Sequence, residues 1–462
     1  MMRKQSIVKL RAVFPAQRFS TSPEDLVACS YDASRQEFAA EAMAWPKTAR
    51  EVSDVMRLAS ADGFPVYLRG AGSGMSGGAL PVRGGVVLDF SKMNRLTESR
   101  PQDRLAICEP GMTLGALQER LKPDGLFFPP DPASHDFATL GGAVAECAGG
   151  LRAVKYGVTR DYVVGLEVVL PSGEIIDTGR AVLKSVAGYD ITRLLVGSEG
   201  TLAVFTKIIV RVLPIPEKVI ALLAYFDGAD GAVHCARSIL ASLILPRAME
   251  FMDRGALACV SRYRDFGIPA EAGSALLVEF DGAASAARAE AQRCEGIFNH
   301  HEPLAVRQAE SEEEREELWT VRRSISPALF RHAPVKLNED VCVPISRLAD
   351  ALAEFQAIGE RFSVDVINFG HAGDGNIHVN VMVDDRNQDE MRRGRQAVGE
   401  IFEAAVRMGG SISGEHGIGN VKAAFLPLEL SRAEMQLMRS LKKLFDPKGI
   451  LNPGKIFAED PG

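Results

Sequence analysis

The 462-residue sequence predicts an α+β protein in two main parts, and three features carry that reading. The chain is long for one domain, so two are the default. Its first half alternates strands and helices around glycine-rich loops and closes on Pro214 and Pro216. From Val219 the pattern changes to short strands and amphipathic helices, the grammar of an antiparallel sheet with helices on one face. The expected divisions are a lead-in over 1–40, a first domain over 41–216, a second over 217–412 and a C-terminal segment over 413–462.

Composition narrows the function classes. Hydrophobic residues make up 46% and charged residues 24%, ordinary for a globular chain with a sizeable core. A net charge of -7 leaves no basic footprint for nucleic acid. The seven cysteines (Cys29, Cys108, Cys147, Cys235, Cys259, Cys294, Cys342) form no CxxC pair, so neither an iron–sulfur cluster nor a cysteine zinc site is encoded. Their odd, dispersed count suits a reducing cytosol. The N-terminal MMRKQSIVKLRAVF has no long apolar run or small-residue cleavage site, so no signal peptide is expected. No stretch approaches the ~20 apolar residues of a membrane helix. The expected location is cytoplasmic, with at most peripheral contact at the inner face of a membrane.

Residues 1–40 are polar and mixed and read as a helical lead-in. Thr48-Ala-Arg-Glu51 fits a capping box, and Val52, Val55, Met56 and Ala59 recur at helical spacing up to Asp62-Gly63. Pro65–Leu68 reads as a strand that runs into RGAGSGMSGG, Arg69–Gly78. This loop contains a formal GxGxxG, from Gly72 to Gly77. A dinucleotide fold needs a helix directly after those glycines. Here Pro81 and Gly84-Gly85 follow, then the strand Val86–Phe90, and no GK[ST] is present for a P-loop. A glycine loop pinned between two strands remains, whose N–H groups can form an anion-binding nest around a diphosphate. Leu105–Glu109 and a helix through Leu121 follow. The prolines of Phe127–Ser134 then fix an extended path, and the glycine pairs Gly141-Gly142 and Gly149-Gly150 let backbone lie against something flat. Strands Val163–Leu170, Ile175–Asp177 and Leu202–Leu213 close the first half.

In the second half, strands are expected at Val219–Phe226, Ala248–Phe251 and Leu276–Phe280, and helices at Ala232–Leu240 and Ala283–Phe298. Ser311–Glu314 caps a helix carrying Trp319, Arg322 and Ser326, the last two on one face. Pro334–Val341 reads as a strand with Lys336, Asn338 and Asp340 on one side. A helix over Met391–Met408 is stopped by Gly409-Gly410, and Ser431–Glu434 opens a last helix through Leu444.

Between these lies NFGHAGDGNIHVN, Asn368–Asn380. His371 and His378 flank a Gly-Asp-Gly turn with β-prone residues on both sides, which is hairpin grammar. On one strand a separation of seven would put the rings on opposite faces. Folded back across Ala372–Gly375 they can become cross-strand neighbours. Two imidazoles at a turn are half a metal site, and spacing alone supplies no third ligand.

Four blocks of the first half carry a resemblance: RGAGSGMSGGALP, FPPDPASHDFATLGGAVAECAGG, KYGVTRDYVVGLEVVLPSGE and AGYDITRLLVGSEGTLAVFT. Together with HAGDGNIH and SGEHGIG in the second half they resemble the vanillyl-alcohol oxidase / p-cresol methylhydroxylase flavoprotein superfamily. The nearest branch contains D-lactate dehydrogenases, the glycolate oxidase FAD subunit and D-2-hydroxyglutarate dehydrogenase. The resemblance implies a two-part FAD-binding domain of the p-cresol methylhydroxylase (PCMH) type, an antiparallel-sheet substrate or cap domain, and a C-terminal helical segment that returns to the flavin domain.

It also implies roles for individual residues. Arg69, Gly70, Ala71, Gly72, Ser73, Gly74, Met75, Ser76, Gly77 and Gly78 would hold the FAD diphosphate through backbone N–H groups. Pro130, Asp131, Ser134, Thr139, Gly141 and Gly142 would border the flavin and ribityl chain. Gly150, Glu199, Gly200 and Val204 would lie near the adenosine and diphosphate, and Asn452 near the isoalloxazine. The glycine loop lacks the histidine that relatives with tethered flavin carry, so FAD is expected to be non-covalent. Cys147 stands where relatives have asparagine, and His135 reads as a loop histidine.

The same resemblance joins Glu415 to His371 and His378 as a three-ligand site for Zn²⁺, Mn²⁺ or Fe²⁺, with coordination positions left open for catalysis. The reaction implied is oxidation of a D-2-hydroxy acid, D-lactate first, to the 2-oxo acid. The metal would acidify the substrate hydroxyl, His416 would act as general base, and the C2 hydride would pass to flavin N5. Arg322, Ser326, Lys336 and Asn380 would bind the substrate, and Asp340 and Asp374 would orient neighbours or shape the turn. Glycolate and D-2-hydroxyglutarate are the alternative substrates. A catalytically silent FAD-bearing subunit of a larger redox complex is the alternative of another class, and it would predict loss of the His and Glu set that is intact here. A metal-free oxidase of phenols or sugars is argued against by the HxGDGNxH block. Electrons must leave to an external acceptor: a quinone, a cytochrome, an electron-transfer flavoprotein or an iron–sulfur subunit. A homodimer is compatible with the sequence.

Overall fold

The Thr48 hydroxyl accepts the Glu51 N–H and starts the helix Ala49–Asp62. Only half of the expected capping box forms. The Glu51 carboxylate turns to the Arg18 guanidinium, at 2.7 and 2.6 Å, and to the Lys47 N–H. A charge-assisted pair outweighs a return bond to one backbone amide. The structure is a computed structural model and describes residues 2–458. Two units separate by their internal packing: Met1–Gly149 with Val158–Ile215 and Glu415–Gly462, and Gly150–Gly157 with Pro216–Gly414.

In the first unit the strands are, in chain order, β1 (Phe19–Ser20), β2 (Ala42–Ala44), β3 (Val66–Arg69), β4 (Val86–Asp89), β5 (Leu96–Arg100), β6 (Leu105–Cys108), β7 (Leu126–Phe127), β8 (Val163–Val169), β9 (Ile175–Gly179), β10 (Val204–Arg211) and β11 (Leu213–Pro214). One sheet has the order β1-β2-β4-β3, with β2, β4 and β3 parallel. Its β2-to-β3 connection is the helix Ala49–Asp62. That helix buries Val52, Val55, Met56 and Ala59 against Phe14, Val66, Leu88 and Val204. Each of the larger side chains contributes roughly 1.5–3 kcal/mol through burial. A second, antiparallel sheet runs β5-β6-β10-β8-β9. The segment after the helix Arg432–Phe445 extends the first sheet: Val66 N donates to Ile450 O and Asn452 N to Val66 O, each at 2.8 Å.

The second unit contains β12 (Lys218–Phe226), β13 (Ala248–Asp253), β14 (Ser274–Gly282), β15 (Ala305–Ala309), β16 (Val335–Cys342), β17 (Asp365–His371) and β18 (Asn376–Val383). They form one antiparallel sheet in the order β15-β12-β14-β13-β17-β18-β16. Ala221, Leu223 and Tyr225 of β12 pack with Val260, Trp319 and Leu329 from the helices Arg254–Tyr263, Glu312–Arg323 and Ile325–His332. Phe226, on the opposite face, stacks edge-on against Phe298 of the helix Ala284–His300, and Gly394 of Gln388–Arg407 sits against Val381 and Val383. Helices therefore cover both faces, where one was expected. The helix expected to run through Ser326 breaks at Ser324. Pro327 has no N–H to offer the carbonyl of Arg323, so the helix restarts.

Candidate active site

In the first unit the loop between β3 and β4 lines a cleft of about 240 Å³. Thr139, Gly141 and Gly142, at the start of the helix Leu140–Glu146, line it too. Thr139 Oγ1 accepts the Gly142 N–H and caps that helix. The glycines are places where backbone has to come close. A Cβ on Gly70 would sit 2.1 Å from Thr139 Oγ1, and one on Gly141 would sit 2.7 Å from Pro110 Cβ. One on Gly74 would meet nothing within 4 Å, so the loop presents bare backbone to open space. Bare loop backbone beside a cleft of this size fits the diphosphate and flat ring of FAD.

Two carboxyls belong to the same lining. Glu146 and Glu199 both line the cleft, and Glu199 accepts the Ile418 and Gly419 N–H groups at 2.8 and 2.7 Å. Burial first, then the Glu199 and Asp32 charges, push the Glu146 carboxyl well above its ordinary range. Burial likewise raises Glu199 despite its two backbone donors. Lys455 is pulled down to about 8 by burial, while Asp32, Glu199 and Glu146 act in the other direction. Its Nζ donates to Gly77 O and Leu80 O and clamps the end of the glycine loop.

In the second unit a polar stripe crosses an otherwise apolar sheet face. Phe369 lies opposite His378 and His371 opposite Asn376, so the two histidines are diagonal neighbours with ring centroids 5.1 Å apart. They share the face of Ile367, Phe369 and Met382, because side chains two apart along a strand point the same way. Glu250 of β13 is paired with His371 in register and is wholly buried. Its Oε1 lies 2.5 Å from His371 Nδ1, and its Oε2 accepts from Arg322 Nε at 2.8 Å. Burial would raise the Glu250 carboxyl, but His371 and Arg322 outweigh it and hold it below its ordinary value. The Arg322 guanidinium lies over the Phe369 ring, 4.5 Å from the centroid. Asp340 lies across from His378 and accepts from Asn376 Nδ2 at 2.5 Å and Ser413 Oγ at 3.2 Å. Imidazoles with a carboxylate at hand are a donor set that suits a borderline divalent ion.

Of the residues read from the sequence for FAD, Arg69–Met75, Gly78, Ser134, Thr139, Gly141, Gly142, Glu199, Gly200 and Asn452 line the cleft. Pro130 and Asp131 precede the lining stretch, which begins at Pro132. Ser76 turns its carbonyl to Asn420 and Val421, and Gly77 turns its own to Lys455. Val204 packs in the core, and its neighbour Phe205 faces the cleft. Gly150 belongs to the second unit. Glu415 and His416 line the first unit's cleft. His371, His378, Arg322, Ser326, Lys336 and Asn380 all belong to the second unit. Lys336 Nζ donates to Ser326 Oγ at 2.9 Å. Asn380 Nδ2 donates to Ile367 O and His378 O, and its Oδ1 accepts from Asn338. Sequence reasoning passed over Glu250, Glu146 and Lys455. The available signal was a lone charge inside an apolar run, AMEFM for Glu250 and AVAEC for Glu146.

The chain matches the model of the FAD linked oxidases, C-terminal domain, over residues 215–456 and that of the FAD binding domain over 40–179. It is 40% identical to the glycolate oxidase subunit GlcD of Bacillus subtilis, covering 100% of this chain and 98% of that one. It is 39% identical to the D-lactate dehydrogenase of Archaeoglobus fulgidus, over 89% of this chain and 90% of that one. Among solved structures, p-cresol methylhydroxylase with substrate bound superposes with a TM-score of 0.82 at 18% identity, over 99% of this chain and 98% of that one. That likeness speaks for the fold.

Proposed function

The chain belongs to the FAD-linked oxidase family, and on that premise we propose that it oxidises a small D-2-hydroxy acid to the 2-oxo acid, D-lactate first. The observation that carries this reading is the polar stripe of the second unit. Two imidazoles 5.1 Å apart share a sheet face with two cations, Arg322 held by Glu250 and Lys336 beside Ser326. A 2-hydroxy carboxylate offers an anionic end for the cations and, one carbon away, a hydroxyl for the imidazole cluster. In this reading residues 41–216 form the FAD domain and 217–412 the substrate domain. FAD is held non-covalently by the glycine loop, and a divalent ion by His371, His378 and Glu415. When bound, FAD supplies the hydride acceptor and the ion supplies the positive charge that makes the hydroxyl acidic. His416 takes the hydroxyl proton, while Arg322, Lys336 and Ser326 fix the carboxylate; Asn380, expected beside them, spends both amide hydrogens on Ile367 O and His378 O and holds the hairpin instead. The matching blocks HAGDGNIH and SGEHGIG support the ligand set. Glycolate is the second substrate reading, supported by the full-length similarity to the GlcD subunit.

The test is anaerobic stopped-flow bleaching of the flavin by D-lactate, L-lactate, glycolate and D-2-hydroxyglutarate, before and after chelation. D-lactate is expected to reduce FAD fastest and L-lactate not at all, with the reaction lost on chelation and restored by Zn²⁺ or Mn²⁺. Unchanged reduction by D-lactate after verified metal removal would sink the metal role, and indifference to all of these acids would sink the substrate class.

A further inference from the structure

We infer that Glu250 is the positioning residue that sets Arg322 and His371 in their working orientations, an inference that rests on the reaction proposed above. Glu250 sits in the middle strand of the seven, with Leu277 on one cross-strand side and His371 on the other, and no part of it reaches solvent. A carboxylate in such a place gives up its hydration and is tolerated only where cationic donors surround it. Its neighbours along the strand, Ala248 and Met252, pack in the core on the same face. A valine or isoleucine would continue that core, so packing gives no reason for an acid here.

The two carboxylate oxygens divide two tasks. Oε1 accepts from His371 Nδ1, which fixes the proton on that nitrogen and makes Nε2 the basic one. A histidine ligand is held in this way when its second nitrogen donates to a carboxylate, which orients the ring and raises its basicity. Oε2 accepts from Nε and Nη2 of Arg322, both at 2.8 Å, and the Phe369 ring lies against the guanidinium plane. With one edge occupied and one face covered, the guanidinium keeps a single orientation toward a substrate carboxylate. One buried acid thus ties the metal-side ligand to the carboxylate-side cation.

The experiment compares Glu250→Gln, Glu250→Asp and His371→Ala with the parent holoenzyme. Metal content is measured after dialysis against graded chelator, with KM and kcat for D-lactate and FAD occupancy alongside. In Glu250→Gln, metal affinity is expected to fall about 10–100-fold. KM is expected to rise about tenfold, the loss of one charged hydrogen bond, with kcat changed less and FAD occupancy unchanged. Glu250→Asp keeps the charge and is expected to recover part of both losses. Parent-like metal retention and KM in Glu250→Gln, with metal lost in His371→Ala, overturns the inference and leaves the reaction standing. If Glu250→Gln does not fold, Glu250→Asp decides, since its carboxylate is drawn back by one methylene; parent-like values there overturn the inference too. If the parent itself needs no metal, the proposed metal role fails, and an unchanged KM in Glu250→Gln removes the remaining half.

Discussion

Glu146 is a carboxyl whose burial outweighs the pull of the nearby Lys455 charge. Its Oε2 makes no hydrogen bond among the described residues, and Glu199 and Asp32 add negative charge beside it. A carboxyl raised above its unfolded value of 4.5 stabilises the fold fully below that pH and loses that contribution as pH rises toward the folded value. The apoprotein is therefore expected to lose stability with pH from this group, on the order of 1.4 kcal/mol per pH unit inside the window. Glu146→Gln mimics the protonated form and should lose less, so the gap between variant and parent melting curves should widen as pH rises above 4.5. A constant gap would show that Glu146 does not titrate there. His416, half-buried in the cleft wall, gives a kinetic counterpart. Truncation to Ala is expected to slow flavin reduction by about 10²–10⁴-fold, the usual worth of a general base, with FAD retained; parent-rate bleaching would remove it from the reaction. Cys147 shows what a single position in the sequence conceals. It ends the helix Leu140–Glu146 at φ 55°, a left-handed cap that glycine or asparagine adopts more readily than cysteine.

The glycine loop shows how an element can be read correctly for one reason and still hide another. Its formal GxGxxG is followed by β4 with no helix between, so the dinucleotide-helix geometry that the residue order argues against is absent. Which glycines face a ligand and which face protein could not be read, because that depends on partners such as Thr139 and Pro110, about 70 and 30 residues distant from Gly70 and Gly141. The distinction is testable. Gly141→Ala drives a Cβ into Pro110 and is expected to lower apoprotein stability by about 1–3 kcal/mol, the range for overpacking. Gly74→Ala meets nothing in the protein, so the apoprotein melt should stay unchanged while FAD affinity falls. Unchanged FAD affinity in Gly74→Ala would mean that Gly74 does not border the cofactor. The second unit taught the opposite lesson. VIALLAYF in β12 is continuously apolar, the mark of a strand covered on both faces, and that signal argued against helices on one face only. The hairpin was legible because both strands and the turn are local, whereas its partner Glu250 arrives from 121 residues away.

Chain connectivity puts the completion of the first unit at its far end. That unit is assembled from three segments, and the last begins at Glu415. The stretch LNPGK gives no sign of its partners, since Lys455 reaches the Gly77 carbonyl across 378 residues and Asn452 reaches Glu199 across 253. Leu451 and its neighbours lie along the open edge of β3, Tyr67 OH donates to Pro453 O, and Ile456 N donates to Gly419 O in the loop that carries Glu415 and His416. A chain ending at Gly449 would leave the Gly77 and Leu80 carbonyls without Lys455, the Val66 N–H without Ile450, and the loop at Gly419 without Ile456. Each buried polar group left unmet costs about 1–3 kcal/mol, and several together rival the whole stability of a domain. The truncated chain is expected to purify without FAD. Limited proteolysis should digest the first unit and spare a fragment within 216–414, whose sheet draws all seven strands from that range. Lys455→Met separates the clamp from the rest of the segment: it should weaken FAD binding with a smaller fall in melting temperature than the truncation. Full FAD occupancy in the truncated chain would show that the tail is dispensable for building the cofactor cleft.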